Sequence, residues 1–299
     1  MYTRILGLLL VGYLMAAAPL WAQQEPGYTQ FSWDQLVINP AYAGSKDALS
    51  ARMFYRRQWV GLEGAPQTQS MSLHSPIVRG HMGAGLTLMH DQIGVSRTVM
   101  ARANLAYKLS MSSGVLSFGM NGQLTRQQTD WGALNPENPG DETLPAGMTQ
   151  AAAPNFGAGI CYQRDQFYVG AAVPTLLEND DSPFAAQRHM YAMAGGIYRL
   201  SPNLQLRGAT MLRYLENAPW QLDVQTTLIF RETLLAGVGY RYNDSFHILA
   251  QYQFAEQWAF GYAFDLTTSA LSNNLGSHEV FIGFDLKREK DGYLHPRFF

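Results

Sequence analysis

A period-2 alternation of apolar and polar residues, repeated in segments about ten residues long, restricts this chain more than any other feature. Trp258, Phe260, Tyr262, Phe264 and Leu266 share one phase, and Gln257, Ala259, Gly261, Ala263 and Asp265 the other. Phe246, Ile248, Ala250, Tyr252 and Phe254 alternate with Ser245, His247, Leu249, Gln251 and Gln253. Leu222, Val224, Thr226, Leu228 and Phe230 alternate with Gln221, Asp223, Gln225 and Thr227. Successive side chains of a strand point to opposite faces, so these are strands with two chemically different surfaces. A soluble sandwich alternates too. Two features favour a barrel in lipid. The polar phase is rich in Gly, Ala, Gln and mixed charges with little Lys or Glu. The segment length also suits a tilted strand crossing a bilayer, which takes about 9–11 residues. Composition agrees: charged residues are 15%, against about 25% in a typical soluble domain. Aromatics reach 12%, with 28 Gly, and mean hydropathy is only −0.14. The reading is all-β, a transmembrane antiparallel β-barrel of about 14 strands.

The strands are expected near 48–57, 68–75, 80–90, 98–109, 113–127, 155–164, 166–174, 189–200, 203–214, 219–230, 233–242, 245–254, 257–266 and 278–287. Connections after even strands are tight. Those after strands 1, 3, 5, 7 and 13 are longer, at 58–67, 91–97, 129–154, 175–188 and 267–277. Short periplasmic turns with longer extracellular loops are the barrel rule. An even strand count then leaves both termini in the periplasm.

Residues 1–22 read as a secretory signal peptide, with Arg4 as the charged start, Ile5 to Met15 apolar and cleavage after Ala22. No Cys adjoins that site, so no lipid anchor is expected there. Residues 23–47 read as a periplasmic N-terminal segment that caps or enters the barrel, 48–287 as the barrel, and 288–299 as a periplasmic tail. Asn39-Pro40 favours a turn, because Pro40 disfavours helical geometry at Asn39. Gly44 is free to take positive φ before strand 1.

A net charge of −2 argues against nucleic acid as a partner. The single Cys161 rules out an internal disulfide framework and a multi-thiolate metal site, and reads as a small inward filler. No HExxH, Walker loop, GxSxG or EF-hand pattern occurs. His90-Asp91 is the one pair able to serve a hydrolase, with no third member in view. Glu178, Asp180 and Asp181 fall short of a calcium site and read as a solvated acidic loop. No catalytic, cofactor or metal residue is assigned. Arg102, Arg207, Arg213 and Arg241 share the inward phase with Asp223, Asp265, Glu279 and Asp285. Mixed signs point to ion pairs bracing the interior, where a ring of one sign would mark an ion-selective pore. Tyr107, Tyr198, Tyr214 and Trp258 read as interface girdle residues.

The segment from Tyr28 to Pro76 stands apart from the strand rhythm. It carries Gln30-Phe31, then Ile38-Asn39-Pro40-Ala41-Tyr42-Ala43-Gly44, then Arg57-Gln58-Trp59-Val60-Gly61. Gly64-Ala65-Pro66, Thr68-Gln69, and His74 with Pro76 follow. In these pieces the chain resembles the PorP/SprF membrane proteins of the type IX secretion system, and the Arg297-Phe298-Phe299 ending agrees. The resemblance implies a non-enzymatic outer-membrane component that helps secrete or anchor surface adhesins bearing a C-terminal sorting domain. Periplasmic secretion and gliding components, and outer-membrane lipid, are the implied partners. Gly61, Gly64 and Pro66 shape the first loop, with Trp59 placed to pack it or meet a partner. A purely local role explains each of these residues equally well. The rival readings are a channel for small or hydrophobic solutes, since barrels of this size conduct, and a surface hydrolase.

Overall fold

The alternation resolves into fourteen strands in a computed structural model that describes residues 27–46, 48–134, 145, 147–178, 187–216, 218–255, 257–269 and 273–287. They are β1 (Ala48–Arg57), β2 (Gln67–Ile77), β3 (Met82–Ile93), β4 (Ser96–Met111), β5 (Gly114–Asp130), β6 (Met148–Gln163) and β7 (Phe167–Val173). The circuit continues with β8 (His189–Ser201), β9 (Leu204–Leu215), β10 (Gln221–Phe230), β11 (Leu234–Arg241), β12 (Ser245–Phe254), β13 (Trp258–Thr267) and β14 (Ser277–Lys287). Each pairs antiparallel with its sequence neighbours, and β1 pairs with β14 to close the ring. At that seam Arg56 stands directly opposite Glu279 and Ala48 opposite Lys287. Closure leaves no unpaired sheet edge, which is what lets strands cross a bilayer.

The apolar phase faces out. Val224, Leu228, Phe246, Ile248, Phe260 and Leu266 are all exposed, as are Tyr107, Tyr198, Tyr214 and Trp258. The other phase is buried, although it faces the middle of a ring. A water-filled lumen would leave it wet, so something fills the interior.

Connections after even strands are short: 78–81, 112–113, 164–166, 202–203, 231–233 and 255–257. Most after odd strands are longer: 58–66, 131–147, 174–188, 216–220 and 268–276. One expected longer connection is corrected. Over 91–97 the ladder runs on to Ile93 opposite Ser96, leaving only Gly94-Val95 as a turn. Gly94 takes φ 55° there, the left-handed geometry a tight reversal needs.

The filler is the chain's own beginning. Three short 3₁₀ turns, Phe31–Trp33, Gln35–Val37 and Pro40–Tyr42, lie inside the barrel, and every residue from Tyr28 to Gly44 is buried. The segment read as a lead-in that caps or enters the barrel thus lies within it over 27–44. Its apolar side chains meet apolar patches on the wall. Phe31, Ile38, Ala41 and Tyr42 pack with Cys161, Tyr168, Tyr191, Met193 and Met211. Tyr28, Trp33 and Val37 pack with Phe54, Ile229, Leu235 and Phe281. Each large side chain so buried contributes about 1.5–3 kcal/mol.

The plug also has a direction. Gly27 adjoins Arg213 near the end of β9, beside the 216–220 connection. Gly44 adjoins Gly83 at the start of β3, beside the 78–81 turn. Gly27 and Lys287 therefore lie at opposite mouths, while Ala48 and Lys287, the two ends of the strand circuit, share one.

Candidate functional site

At the long-loop mouth the plug is gripped by charge. The carboxylate of Glu279 accepts the backbone N–H groups of Thr29 and Gln30, each at 2.8 Å. The Thr29 hydroxyl donates to Asp265 at 2.7 Å and accepts from Arg56 Nη1 at 2.6 Å. Arg56 also binds Asp265 at 2.7 Å and Glu279 at 3.1 Å. Behind this, Arg241 binds Asp223 at 2.8 Å and lies 3.8 Å from Asp265. The Gln225 amide donates to the Thr29 carbonyl. Two guanidinium groups face three deeply buried carboxylates, and the two plug N–H groups supply the missing positive end. Charges this buried persist only when so paired.

Aromatic rings fill the centre. The Arg207 guanidinium lies 3.7 Å from the centroid of Trp33, a close cation–π contact. Trp33 stacks on Phe281, which meets Phe54, which meets Tyr28. Arg102 Nη1 donates to the Val37 carbonyl at 2.7 Å, while its Nε holds Gln123, also at 2.7 Å. Asp34 accepts from Ser72 Oγ at 2.5 Å.

Toward the short-turn mouth the grip is steric. Asn39 Nδ2 donates to the wall carbonyls of Ile160 and Ala171 at 3.1 and 3.3 Å. Its Oδ1 accepts Ala41 N–H at 2.9 Å, capping the turn that Pro40 opens. The wall here is glycine because the plug lies directly against it. A Cβ on Gly83 would lie 1.9 Å from the Ala43 carbonyl oxygen, on Gly119 2.1 Å from Ala41 N, and on Gly159 2.1 Å from Asn39 Oδ1. Gly44 has φ 63° and would itself collide with Gly83. His74 Nδ1 accepts the Gly44 N–H at 3.1 Å, and Lys108 donates to the Gly44 carbonyl. Tyr42 meets Tyr168 edge-on at 6.0 Å. Just beyond, burial and the neighbouring Arg52 lower the Lys46 ammonium to about 8, against the pull of Asp285.

The residues singled out from the sequence fall into three places. Asn39, Pro40, Tyr42 and Gly44 belong to the plug, and His74 receives it. Gln58, Trp59, Gly61, Gly64 and Pro66 form the first loop, which is stitched to its neighbours. Gln58 N–H binds Pro66 O at 2.9 Å, Trp59 N–H binds Ser277 Oγ at 3.1 Å, Val60 exchanges bonds with Leu275 and Gly276, and Gly94 N–H binds Gly64 O at 2.8 Å. Thr68 faces inward and donates to Asp91 at 2.6 Å, while Arg57 and Gln69 face outward. Among the inward charges, Arg102, Arg207, Arg213, Asp223, Arg241, Asp265 and Glu279 are buried. Asp285 sits nearer the short-turn mouth, bound by Arg52 at 2.7 Å and Lys46 at 3.7 Å.

His90 and Asp91 are strand neighbours whose side chains point to opposite faces, so they form no pair. Asp180 and Asp181 lie outside the described residues, and Glu178 pairs with Arg188 at 3.6 Å. Among the described residues no cluster of three or more His, Cys, Asp or Glu is placed to hold a metal. Sequence reasoning missed Arg56, Arg52, Gln225, Lys108 and Asp34. Arg52 and Arg56 sit in a strand whose Met53-Phe54-Tyr55 run hides its phase.

The wall side chains Glu279, Gln225, Arg102, His74 and Lys108 all bind main-chain atoms of the plug. The lumen is therefore a built peptide-binding surface, occupied in cis.

A family model described as the type IX secretion system membrane protein PorP/SprF matches residues 20–284. Among curated protein sequences nothing matches. Similar solved structures include the CymD monoaromatic hydrocarbon channel, 12% identical with a TM-score of 0.54, covering 86% of this chain and 93% of that one. A Pseudomonas aeruginosa FadL homologue is 12% identical with a TM-score of 0.49, covering 89% of this chain and 95% of that one. The Acinetobacter baumannii outer membrane protein Omp33 is 8% identical with a TM-score of 0.47, covering 81% and 99%. At these identities the CymD likeness speaks for the barrel fold alone.

Proposed function

The chain belongs to the PorP/SprF family of type IX secretion system membrane proteins, and from that premise we propose that it works as a closed outer-membrane platform which helps secrete or anchor surface adhesins. On this reading it does no chemistry. Its long-loop face meets a secreted adhesin through the C-terminal sorting domain, and its short-turn face meets periplasmic secretion and gliding components. Membership supports the pathway, and the outer-membrane barrel supports the location.

One observation favours a platform over a channel for small or hydrophobic solutes: the lumen is filled from Tyr28 to Gly44 by buried, hydrogen-bonded chain. A conduit for solutes needs a continuous wet or apolar path. Here the path is occupied by protein packed against both apolar and charged walls.

The test is deletion of the gene, followed by quantitative mass spectrometry of surface and culture-medium proteins. Loss or mislocalisation of one or a few large adhesins with sorting domains is expected. No change in either fraction overturns the reading. In planar bilayers the purified protein is expected to be silent; a stable open pore with solute preference turns the reading to the channel.

A further inference from the structure

We infer that the chain is threaded through its own barrel, so that its amino end emerges from the long-loop mouth while its carboxyl end leaves from the short-turn mouth. The inference rests on the barrel and its plug, not on the secretion reading.

Three plug residues, Thr29, Gly27 and Gly44, fix the direction of the thread. Thr29 is bound by Arg56, one residue before the end of β1, and by Asp265 and Glu279 at the matching ends of β13 and β14. Gly27 lies against Arg213, which pairs with Gln221 where β10 begins. All these positions border the long connections. In the other direction Gly44 lies against His74, Gly83 and Lys108, and the chain passes directly into β1 at Ala48, at the short-turn mouth. The plug therefore runs the length of the lumen once.

Distance excludes a return. On the expected cleavage after Ala22, four residues precede Gly27, and fully extended they span at most about 14 Å. The hydrocarbon core of a bilayer is about 30 Å thick. The way back is also closed, because the lumen beside Thr29 is filled by Arg56, Gln225 and the Tyr28–Phe54 ring pair. The amino end is then presented beside the first loop (58–66) and the last (268–276). That places a chain terminus, with whatever is attached to it, on the face that meets secreted partners in the proposed function. It replaces the expectation that both termini share the periplasm.

The test uses single cysteines in the full chain: Glu25→Cys, Glu63→Cys in the first loop, and Asn203→Cys in the β8–β9 turn. A membrane-impermeant maleimide is applied to intact cells and to lysed cells. The native Cys161 is buried and sets the background. Labelling of Glu25→Cys on the same side, and to the same extent, as Glu63→Cys is expected, with Asn203→Cys on the opposite side. This comparison holds whichever mouth faces the medium. Labelling of Glu25→Cys together with Asn203→Cys overturns the inference. Should the cysteine disturb export, a short epitope inserted between Pro26 and Gly27 and read by antibody on intact cells gives the same decision.

Discussion

The plug is held at its two ends by opposite kinds of contact. Around Thr29 the wall offers long charged side chains that reach in and bind main-chain groups. Around Asn39 to Gly44 much of the wall is glycine in direct contact with the plug, and His74, Lys108 and Tyr168 are the side chains that join it. A charged grip is strong but conditional: each member depends on its partners, and a concerted change of partners can preserve it. A steric grip is unconditional, because no rotamer change relieves a Cβ placed against a backbone atom. The two ends should therefore fail in different ways.

The largest effect is expected at the charged end. Arg56→Met leaves Asp265 and Glu279 buried without their shared cation, at a cost of about 3–5 kcal/mol. The heat-modifiable band of the folded barrel should shift to a clearly lower melting temperature. Adding Glu279→Gln should recover part of that loss; if the double variant is as unstable as the sum of the singles, the grip is not one network. Next comes Gly119→Val, about 3 kcal/mol, since the new carbons meet Ala41 N rather than a flexible side chain. Here the ring is expected to stay closed around Thr29 while the Asn39–Gly44 part of the plug leaves its seat. The readout is new cleavage between residues 27 and 46 by an added protease, and the onset of conductance in a previously silent barrel. Asn39→Ala loses the turn cap and two wall hydrogen bonds, about 2 kcal/mol, and should show the same cleavage at lower denaturant.

The smallest effect is at Asp34. Its carboxylate accepts the Ser72 hydroxyl at 2.5 Å. Asp34→Asn keeps an acceptor oxygen for that bond and should change stability by under about 1 kcal/mol. Protease cleavage of the plug is expected to begin at nearly the denaturant concentration of the parent protein; a drop as large as that of Asn39→Ala would make Asp34 part of the charged grip.

How much of this was legible follows from what alternation encodes. Period 2 separates two faces and so yields fourteen strands and their order around the ring. It says which phase is inward, but not whether that phase meets water or protein. The clue lay in residues that violate a polar lumen. Phe54, Tyr168, Met193, Met211, Ile229, Leu235 and Phe281 are inward and apolar, and each has a plug or patch to cover. Gly83, Gly119 and Gly159 are inward too, but a glycine in a strand reads the same whether it faces solvent, a bulge or another backbone. The Asn39-Pro40 turn was visible as a turn; its seat between β5, β6 and β7 was not, since its hydrogen bonds reach residues more than a hundred positions away.

The salt bridge between Arg56 and Glu279 has a consequence for how this protein is made. These two residues face each other across the β1–β14 seam, the last pairing the chain can complete, and both also hold Thr29. The ring therefore cannot reach its final register with a vacant interior unless a guanidinium and two carboxylates lose part of their solvation without the plug's N–H groups to offset it. Closure and seating become one cooperative event in biogenesis. The first residues to leave the translocation machinery are also the template on which the final strand locks, so an assembly factor that delivers an unplugged chain delivers an unfinished barrel.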